Sequence, residues 1–298
     1  MHAALLAVSL LFGINYVVTK TILATVPPAT WVLFRMGAAT LVMVPLAMWF
    51  ARRRAWPGRR TWPALALAAF LGVAANQVLF TEGIARTTPE HSAVVTACIP
   101  TWTLVIAVLC GQERLTWRRV AAIVVALAGV CWLLGIDRWF GDASTANADD
   151  GASLLGDLLT MANGIAFAAH LVLMRRLGRD LDPYRTTALV FVFGTPMVAL
   201  WSVPTITAPH LEALLTANVL ALAAYAVLGS TVLTYFLNMW ALRHTQSSQV
   251  ALYINVQPLV AAALNSALGA PPPGQRFFGA LALVICGLWL QTARPAKG

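Results

Sequence analysis

The chain is written almost without interruption in apolar runs about as long as a bilayer is thick. A hydrocarbon core of about 30 Å needs a helix of about 20 residues to cross it. Ten such runs can be laid along the 298 residues, at 3–23, 29–50, 62–84, 89–111, 117–136, 153–174, 184–203, 214–242, 246–269 and 274–293. They are apolar nearly all round, whereas a soluble bundle or a surface-lying helix would carry one apolar stripe. Only 10% of the residues are charged, too few to clothe a soluble molecule for which about 25% is usual. Prolines and polar clusters supply most of the breaks, among them Pro27-Pro28, Pro57-Gly58, Pro89, Pro183, and residues 204–209 and 271–273. The expected fold is an all-α integral membrane protein of ten transmembrane helices.

A net charge of +9 raises the question of nucleic acid. The placement of that charge answers it. With a cytoplasmic N-terminus, the even-numbered links and the C-terminal tail carry fourteen Lys and Arg: Arg52, Arg53, Arg54, Arg59, Arg60, Arg114, Arg118, Arg119, Arg175, Arg176, Arg179, Arg243, Arg294 and Lys297. The other side carries four, Lys20, Arg86, Arg138 and Arg276, together with the acidic interlude of Asp137, Asp142, Asp149 and Asp150. This is a positive-inside pattern, not a DNA-binding face, and it puts both termini in the cytoplasm. The first run has only Met1 and His2 ahead of it and reads as a span, not a cleaved secretory signal. Cys98, Cys110, Cys131 and Cys286 all lie in apolar stretches without CxxC or Cys/His spacing, so no disulfide framework, metal or cofactor is expected.

The second half echoes the first. Sliding the chain by 158 residues brings Thr87 onto Thr245, Ala93 onto Ala251, Pro100 onto Pro258 and Gly111 onto Gly269. The same ungapped register brings Arg118 onto Arg276, Ala122 onto Ala280 and Gly129 onto Gly287. An offset near 156 superimposes Pro27 and Pro183. A repeat with an odd number of crossings must return upside down. The expected organisation is therefore a first five-helix repeat at 1–136, an extracytoplasmic linker at 137–152, and a second, inverted five-helix repeat at 153–298.

Several local patterns together resemble the drug/metabolite transporter superfamily, specifically its EamA-type ten-span members. They are Phe12-Gly13-Ile14-Asn15-Tyr16 in the first run, Phe34-Arg35 in the second, and Pro100 followed by Gly111-Gln112-Glu113-Arg114-Leu115 around the fourth. Gly129 in the fifth run, and Gly156-Asp157-Leu158-Leu159 with Arg175-Arg176 in the sixth, complete the series. Two departures stand out: Phe12 replaces the usual Trp, and Ala270-Pro271-Pro272-Pro273 follows Gly269 where the first copy has its Glu. The resemblance implies two inverted repeats around a central cavity that moves small metabolites, usually outward. It names no particular substrate.

Polar side chains inside a bilayer are costly, so each calls for an explanation. Asn76 and Gln77 of the third run align with Thr234 and Tyr235 of the eighth, where Thr231, Thr234/Tyr235 and Asn238 share one face of an α-helix. They serve either as a cavity wall or as interhelical glue. Asn163 and His170 share a face of the sixth run, as do Asn15 and Thr19 of the first, beside Tyr16. His170 could titrate near neutrality or simply bond a neighbour. Tyr253 and Gln257 gather beside the Pro258 break, equivalent to Pro100, where a missing backbone donor weakens the helix. Trp102 could stack on a solute, whereas Trp31, Trp56, Trp62, Trp117 and Trp139 read as interfacial anchors. Glu82 is either a coupling carboxylate or the i,i+4 partner of Arg86. Glu113 suits a structural or gating role at the cytoplasmic edge. Arg35, at a cost of roughly 2.5–3.5 kcal/mol within a span, either pairs with an anionic solute group or caps a broken helix end.

The function expected is a secondary or facilitated carrier in the bacterial inner membrane, most plausibly exporting amino acids or related metabolites and drugs. The partners are then a small-molecule substrate and the lipid bilayer; monomer and homodimer are both open. An intramembrane enzyme is opposed by the lack of HExxH, GxSxG or paired in-span carboxylates. A non-transporting assembly subunit is opposed by the paired polar positions. No Walker-type loop points to direct ATP hydrolysis.

Overall fold

A computed structural model describes residues 2–51, 57–134, 153–177, 181–234, 237 and 256–292. Among them there is helix and no strand. Backbone N–H and C=O groups that face lipid must bond within their own segment, and the helix does this locally. The elements are α1 (His2–Leu23), α2 (Pro28–Phe50), α3 (Trp62–Ala69), α4 (Asn76–Arg86), α5 (Pro89–Thr96), α6 (Ile99–Leu109) and α7 (Trp117–Leu133). Then come α8 (Leu154–Leu177), α9 (Pro183–Ser202), α10 (Ala208–Leu214), α11 (Ala217–Ala224), α12 (Val256–Ala267) and α13 (Gln275–Thr292).

Helix occurs inside every one of the ten apolar runs. Among the described residues, six helices are long and apolar enough to cross a membrane: Leu5–Leu23, Pro28–Phe50, Arg59–Arg86, Pro89–Leu109, Leu154–Leu177 and Tyr184–Thr205. Ala208–Leu214 and Ala217–Leu233, bent by 68° at their junction, would make a seventh. Large apolar side chains such as Leu41, Trp49, Leu109, Trp117 and Leu200 stand more than three-quarters exposed. A surface so apolar calls for lipid, not water.

The ends and breaks follow local chemistry. Pro28, Pro89 and Pro183 each open a helix, where their missing N–H has no bond to lose. Asp182 caps α9 by accepting from the Tyr184 and Arg185 backbone N–H groups at 3.0 and 3.1 Å. The fourth run is broken after Thr96, and Pro100 sits in the first turn of α6 rather than within one long helix. At Gly111 and Gly269 the chain turns with φ of 67° and 96°, a region glycine enters without strain. Two stretches are π-helical: Phe70–Ala75, between α3 and α4, and Tyr225–Leu233, following α11.

α1 lies on α12, α2 on α9, α4 and α6 on α8, and α7 on α13. The π stretch after α3 touches α9 and α8, and the one after α11 touches α2 and α1. Trp31 departs from its expected place as an interfacial anchor. It is fully buried and stacks on Phe34 beside Val26, Leu214 and Val219, because α10 folds over the start of α2. Trp62 and Trp117 remain exposed.

α7 and α13 approach closely at two glycines. A Cβ on Gly129 would meet Ala280 O at 2.9 Å, and one on Gly287 would meet Ala122 O at 2.7 Å. Gly129→Val or Gly287→Val is expected to destabilise the protein by about 1–3 kcal/mol through overpacking. Gly37→Ala, with nothing within 4 Å of its new Cβ, should not; thermal unfolding of the purified variants measures the difference.

Candidate functional site

Both π stretches face the seam between the first and second halves of the chain, and a polar side chain from the opposite half reaches each. A π turn carries one residue more than an α turn and leaves its carbonyls displaced from their usual donors. Just ahead of the first stretch, His170 of α8 donates from Nδ1–H to Ala68 O of α3 at 2.8 Å. The imidazole fits because residue 72 is glycine; a Cβ there would lie 2.2 Å from His170 Nδ1. One face of the ring stacks on Phe167. Two turns earlier on α8, Asn163 Nδ2 donates to Asn76 O at 2.7 Å, and Gln77 Nε2 donates to Asn76 Oδ1 at 2.9 Å. Gln77 Oε1 is buried and accepts no bond among the described residues.

The second stretch meets α1 and α2. Ser230 Oγ donates to Asn15 Oδ1 at 2.7 Å, and Arg35 Nη2 donates to Ser230 Oγ at 3.4 Å and Thr231 Oγ1 at 3.5 Å. Asn15, Arg35, Ser230 and Thr234 are all buried. Thr231 stands in the π stretch and Thr234 just beyond it, where Thr234 Oγ1 also bonds Thr231 O at 3.2 Å. Thr231 Oγ1 bonds five residues back to Ala226 O, whereas Thr234 Oγ1 bonds four back to Ser230 O. Tyr235, Asn238 and Tyr253 lie outside the described residues.

The remaining candidates fall into packing positions around this seam. Tyr16 is buried edge-on against Phe80, their centroids 5.7 Å apart. Gln257 and Pro258 are buried at the start of α12, where Gly13 lets α1 press on Gln257 O and Val260. Trp102 lies half-buried against the core formed by α5, α7 and α13, near Gly164 of α8. Glu82 is taken by Arg86 one turn on, which is the rim pair and not a free carboxylate.

Two further clusters close the seam at opposite ends. At the Arg-rich end, Glu113 pairs with Arg175 at 2.8 Å and Arg119 at 3.3 Å, and Gln112 Nε2 donates to Val172 O. These groups are partly exposed, so each pair contributes at most about 1 kcal/mol. At the other end α4 crosses α8 with backbones nearly touching. A Cβ on Gly83 would sit 2.6 Å from Thr160 Oγ1, and one on Gly156 would sit 2.8 Å from Thr87 N. That crossing seats Asp157, only 3% exposed, beside Thr87 and His91. Thr87 Oγ1 donates to Asp157 Oδ1, and His91 Nδ1 lies 3.0 Å from Asp157 Oδ2. Next to it, Asn265 Nδ2 donates to Glu90 Oε1 at 2.6 Å, and Lys20 Nζ donates to the carbonyls of Ile84, Ala85 and Thr87 at 2.7–3.0 Å.

Sequence reasoning used Asp157 only as part of a resemblance and passed over Thr87, His91, Lys20 and Ser230 as site residues. The one available signal was a carboxylate inside an apolar run. Its partner His91 is 66 residues away, beyond any local pattern.

Apolar helices with lipid-ready faces, and polar networks held along an internal seam, define a multi-pass membrane protein of the transporter type. The family model described as the EamA-like transporter family matches residues 1–135 and 154–292, and the chain belongs to that family. The uncharacterized transporter YyaM of Bacillus subtilis (strain 168) is 24% identical over 288 residues, covering 97% of this chain and 92% of that protein. The uncharacterized transporter YwfM of the same organism is 28% identical over 291 residues, covering 94% and 90%. A WAT1-related protein of Arabidopsis thaliana is 28% identical over 219 residues, covering 64% of this chain and 60% of its own. A solved crystal structure with 18% sequence identity shares the fold, with a TM-score of 0.62 over 98% of this chain and 97% of that one.

The two ends should respond differently to mutation. Thr87→Val leaves a buried Asp157 oxygen without its donor and is expected to cost about 1–3 kcal/mol. Glu113→Gln should cost less than about 1 kcal/mol. Unfolding of both variants in the same detergent measures the contrast.

Proposed function

We propose that the protein is a secondary carrier that exports a small polar metabolite, an amino acid or a related compound, across the plasma membrane by alternating access. In this reading ten helices cross the bilayer, and residues 1–136 and 153–298 form two five-helix halves of opposite orientation. Residues 137–152 join them on the outer side, and both termini face the cytoplasm, as the distribution of Lys and Arg favours.

The observation that carries this reading is the return of structural devices at the 158-residue offset found in the sequence. The π stretch Phe70–Ala75 falls on the last six residues of Tyr225–Leu233. The left-handed glycines Gly111 and Gly269 coincide, and so do the bonds around them: Gln112 N to Ala107 O at 2.8 Å, and Ala270 N to Asn265 O at 3.1 Å. Gly129 packs on Ala280 just as Gly287 packs on Ala122. Exchanging helices for their counterparts also preserves the pairings for which both members are described. α1 on α12 becomes α8 on α6, while α2 on α9 and α7 on α13 map onto themselves. Such a relation supports a two-fold axis along the seam, and a solute path on that axis draws on both halves.

The two π stretches then form facing walls of the path. Amides and an imidazole serve one wall through Asn163, Asn76, Gln77 and His170; hydroxyls and a guanidinium serve the other through Ser230, Thr231, Thr234 and Arg35. The Asp157 and Glu113 clusters, which bridge the halves at opposite ends, are suited to be the two gates. Export is the direction that the family resemblance implies. Without a Walker-type loop, the driving force is an ion gradient or exchange.

Saturable flux in proteoliposomes tests the carrier. Asn163→Leu and Thr234→Val are expected to lower kcat/KM roughly 5- to 100-fold, the equivalent of about 1–3 kcal/mol of lost hydrogen bonding. Wild-type flux from both would remove these walls as the path. Inversion has its own test: in a cysteine-free background, Arg114→Cys should react only from the cytoplasmic side and its counterpart Pro272→Cys only from outside. Labelling from the same side would end the inverted-repeat reading.

A further inference from the structure

Among the described residues, no anion pairs with the buried cation Arg35. Arg35 is the eighth residue of α2 and is 5% exposed. Its five N–H donors make two long bonds, at 3.4 and 3.5 Å, both from Nη2 to hydroxyls of the π stretch. Nε is buried and donates to nothing among the described residues. No backbone carbonyl among them accepts from the guanidinium. Lys20 makes the contrast plain, since three carbonyls at the end of α4 satisfy its ammonium.

None of the described carboxylates completes Arg35. The chain has eleven Asp and Glu residues. Glu82, Glu90, Glu113 and Asp157 bond Arg86, Asn265, Arg175 with Arg119, and Thr87 with His91, respectively. Asp182 caps α9, and Glu212 is exposed on α10. The other five are Asp137, Asp142, Asp149 and Asp150 in the interlude and Asp180 between the sixth and seventh runs. Residues 235–255, which follow the π stretch, contain neither Asp nor Glu. A guanidinium buried without a counter-ion is costly, and its planar fork matches the two oxygens of a carboxylate.

We propose that Arg35 is the recognition point for a carboxylate on the transported solute, with Ser230 and Thr231 flanking it from the second half. The solute class is then small carboxylic acids, α-amino acids included, and not amines or neutral compounds. This rests on the carrier reading and narrows it. The bound carboxylate supplies the acceptor that Nε lacks and neutralises the charge, and Asn15 holds Ser230 in place by accepting its proton.

Thermal shift of the purified full-length protein tests the assignment, with α-amino acids and short carboxylic acids each compared with its uncharged amide. Inorganic phosphate and phosphatidylglycerol are run beside them. At least one acid should raise the midpoint in a saturable way while its amide does not. Arg35→Gln should abolish that shift, and Arg35→Lys, a point charge without the fork, should weaken binding about tenfold. Ser230→Ala with Thr231→Val should weaken it severalfold, which keeps the test open should Arg35→Gln fail to fold. The assignment is overturned if no acid outperforms its amide, if Arg35→Gln retains the shift, or if Arg35→Lys or the double variant binds as wild type does. An equal response to phosphate or to the anionic lipid also overturns it, in favour of a phosphate site. Flux separates the two readings. Acids that bind but never cross a proteoliposome sink the carrier and leave the carboxylate site standing. Saturable flux of neutral solutes, undiminished in Arg35→Gln, does the reverse.

Discussion

Within an apolar interior that faces lipid, a polar group finds its partner inside the chain or goes without. This requirement explains the helices themselves, since only a locally bonded backbone can stand in hydrocarbon. It suits the prolines that open α2, α5 and α9, where no donor is lost, whereas Pro45 inside α2 and Pro196 inside α9 each remove one. It also explains the pairing of special backbone with special side chains. Where π turns displace carbonyls, His170 and Asn163 arrive to use them or their neighbours. Where α4 ends, Lys20 arrives. Among the described residues, the Arg35 guanidinium meets the requirement poorly, with two long bonds and an unbonded Nε.

The interior is uneven along its length. At the Arg-rich end the halves meet through exposed ion pairs around Glu113, which water screens. At the other end they meet through a buried carboxylate, hydroxyl and imidazole, and through Glu90 with Asn265. Low dielectric strengthens such bonds and makes their loss more costly. The small residues Gly83 and Gly156 bring two backbones close enough for this network to form, the usual device of membrane helices.

Much of the architecture was legible before any coordinates. Apolar length marked a helix in every run, proline marked the helix starts, and the i,i+4 spacing identified the Glu82–Arg86 pair. The residues of the seam were legible mainly as types: Asn15, Asn76, Asn163 and His170 stood out because polar groups are rare there. What they touch was not. A π turn leaves no signature in hydrophobic periodicity, so the stretch Tyr225–Leu233 read as ordinary α-helix. Nothing in the sequence singled out Gly72, although only its missing side chain lets His170 in. Trp31 near the start of a run looked interfacial because nothing local announced that α10 would fold over it. The contacts of Asp157 join positions about 70 residues apart, and long separations of this kind are set by helix packing alone.

Thr87 is wholly buried and serves two masters. Its carbonyl holds Lys20 of α1, while its hydroxyl holds Asp157 of α8. Among the described residues, the two halves meet at this end through Thr87, His91 and Glu90. If α8 swings away, the hydroxyl lets go while the carbonyl keeps its grip. α1 and the tip of α4 must then travel together, as though riveted.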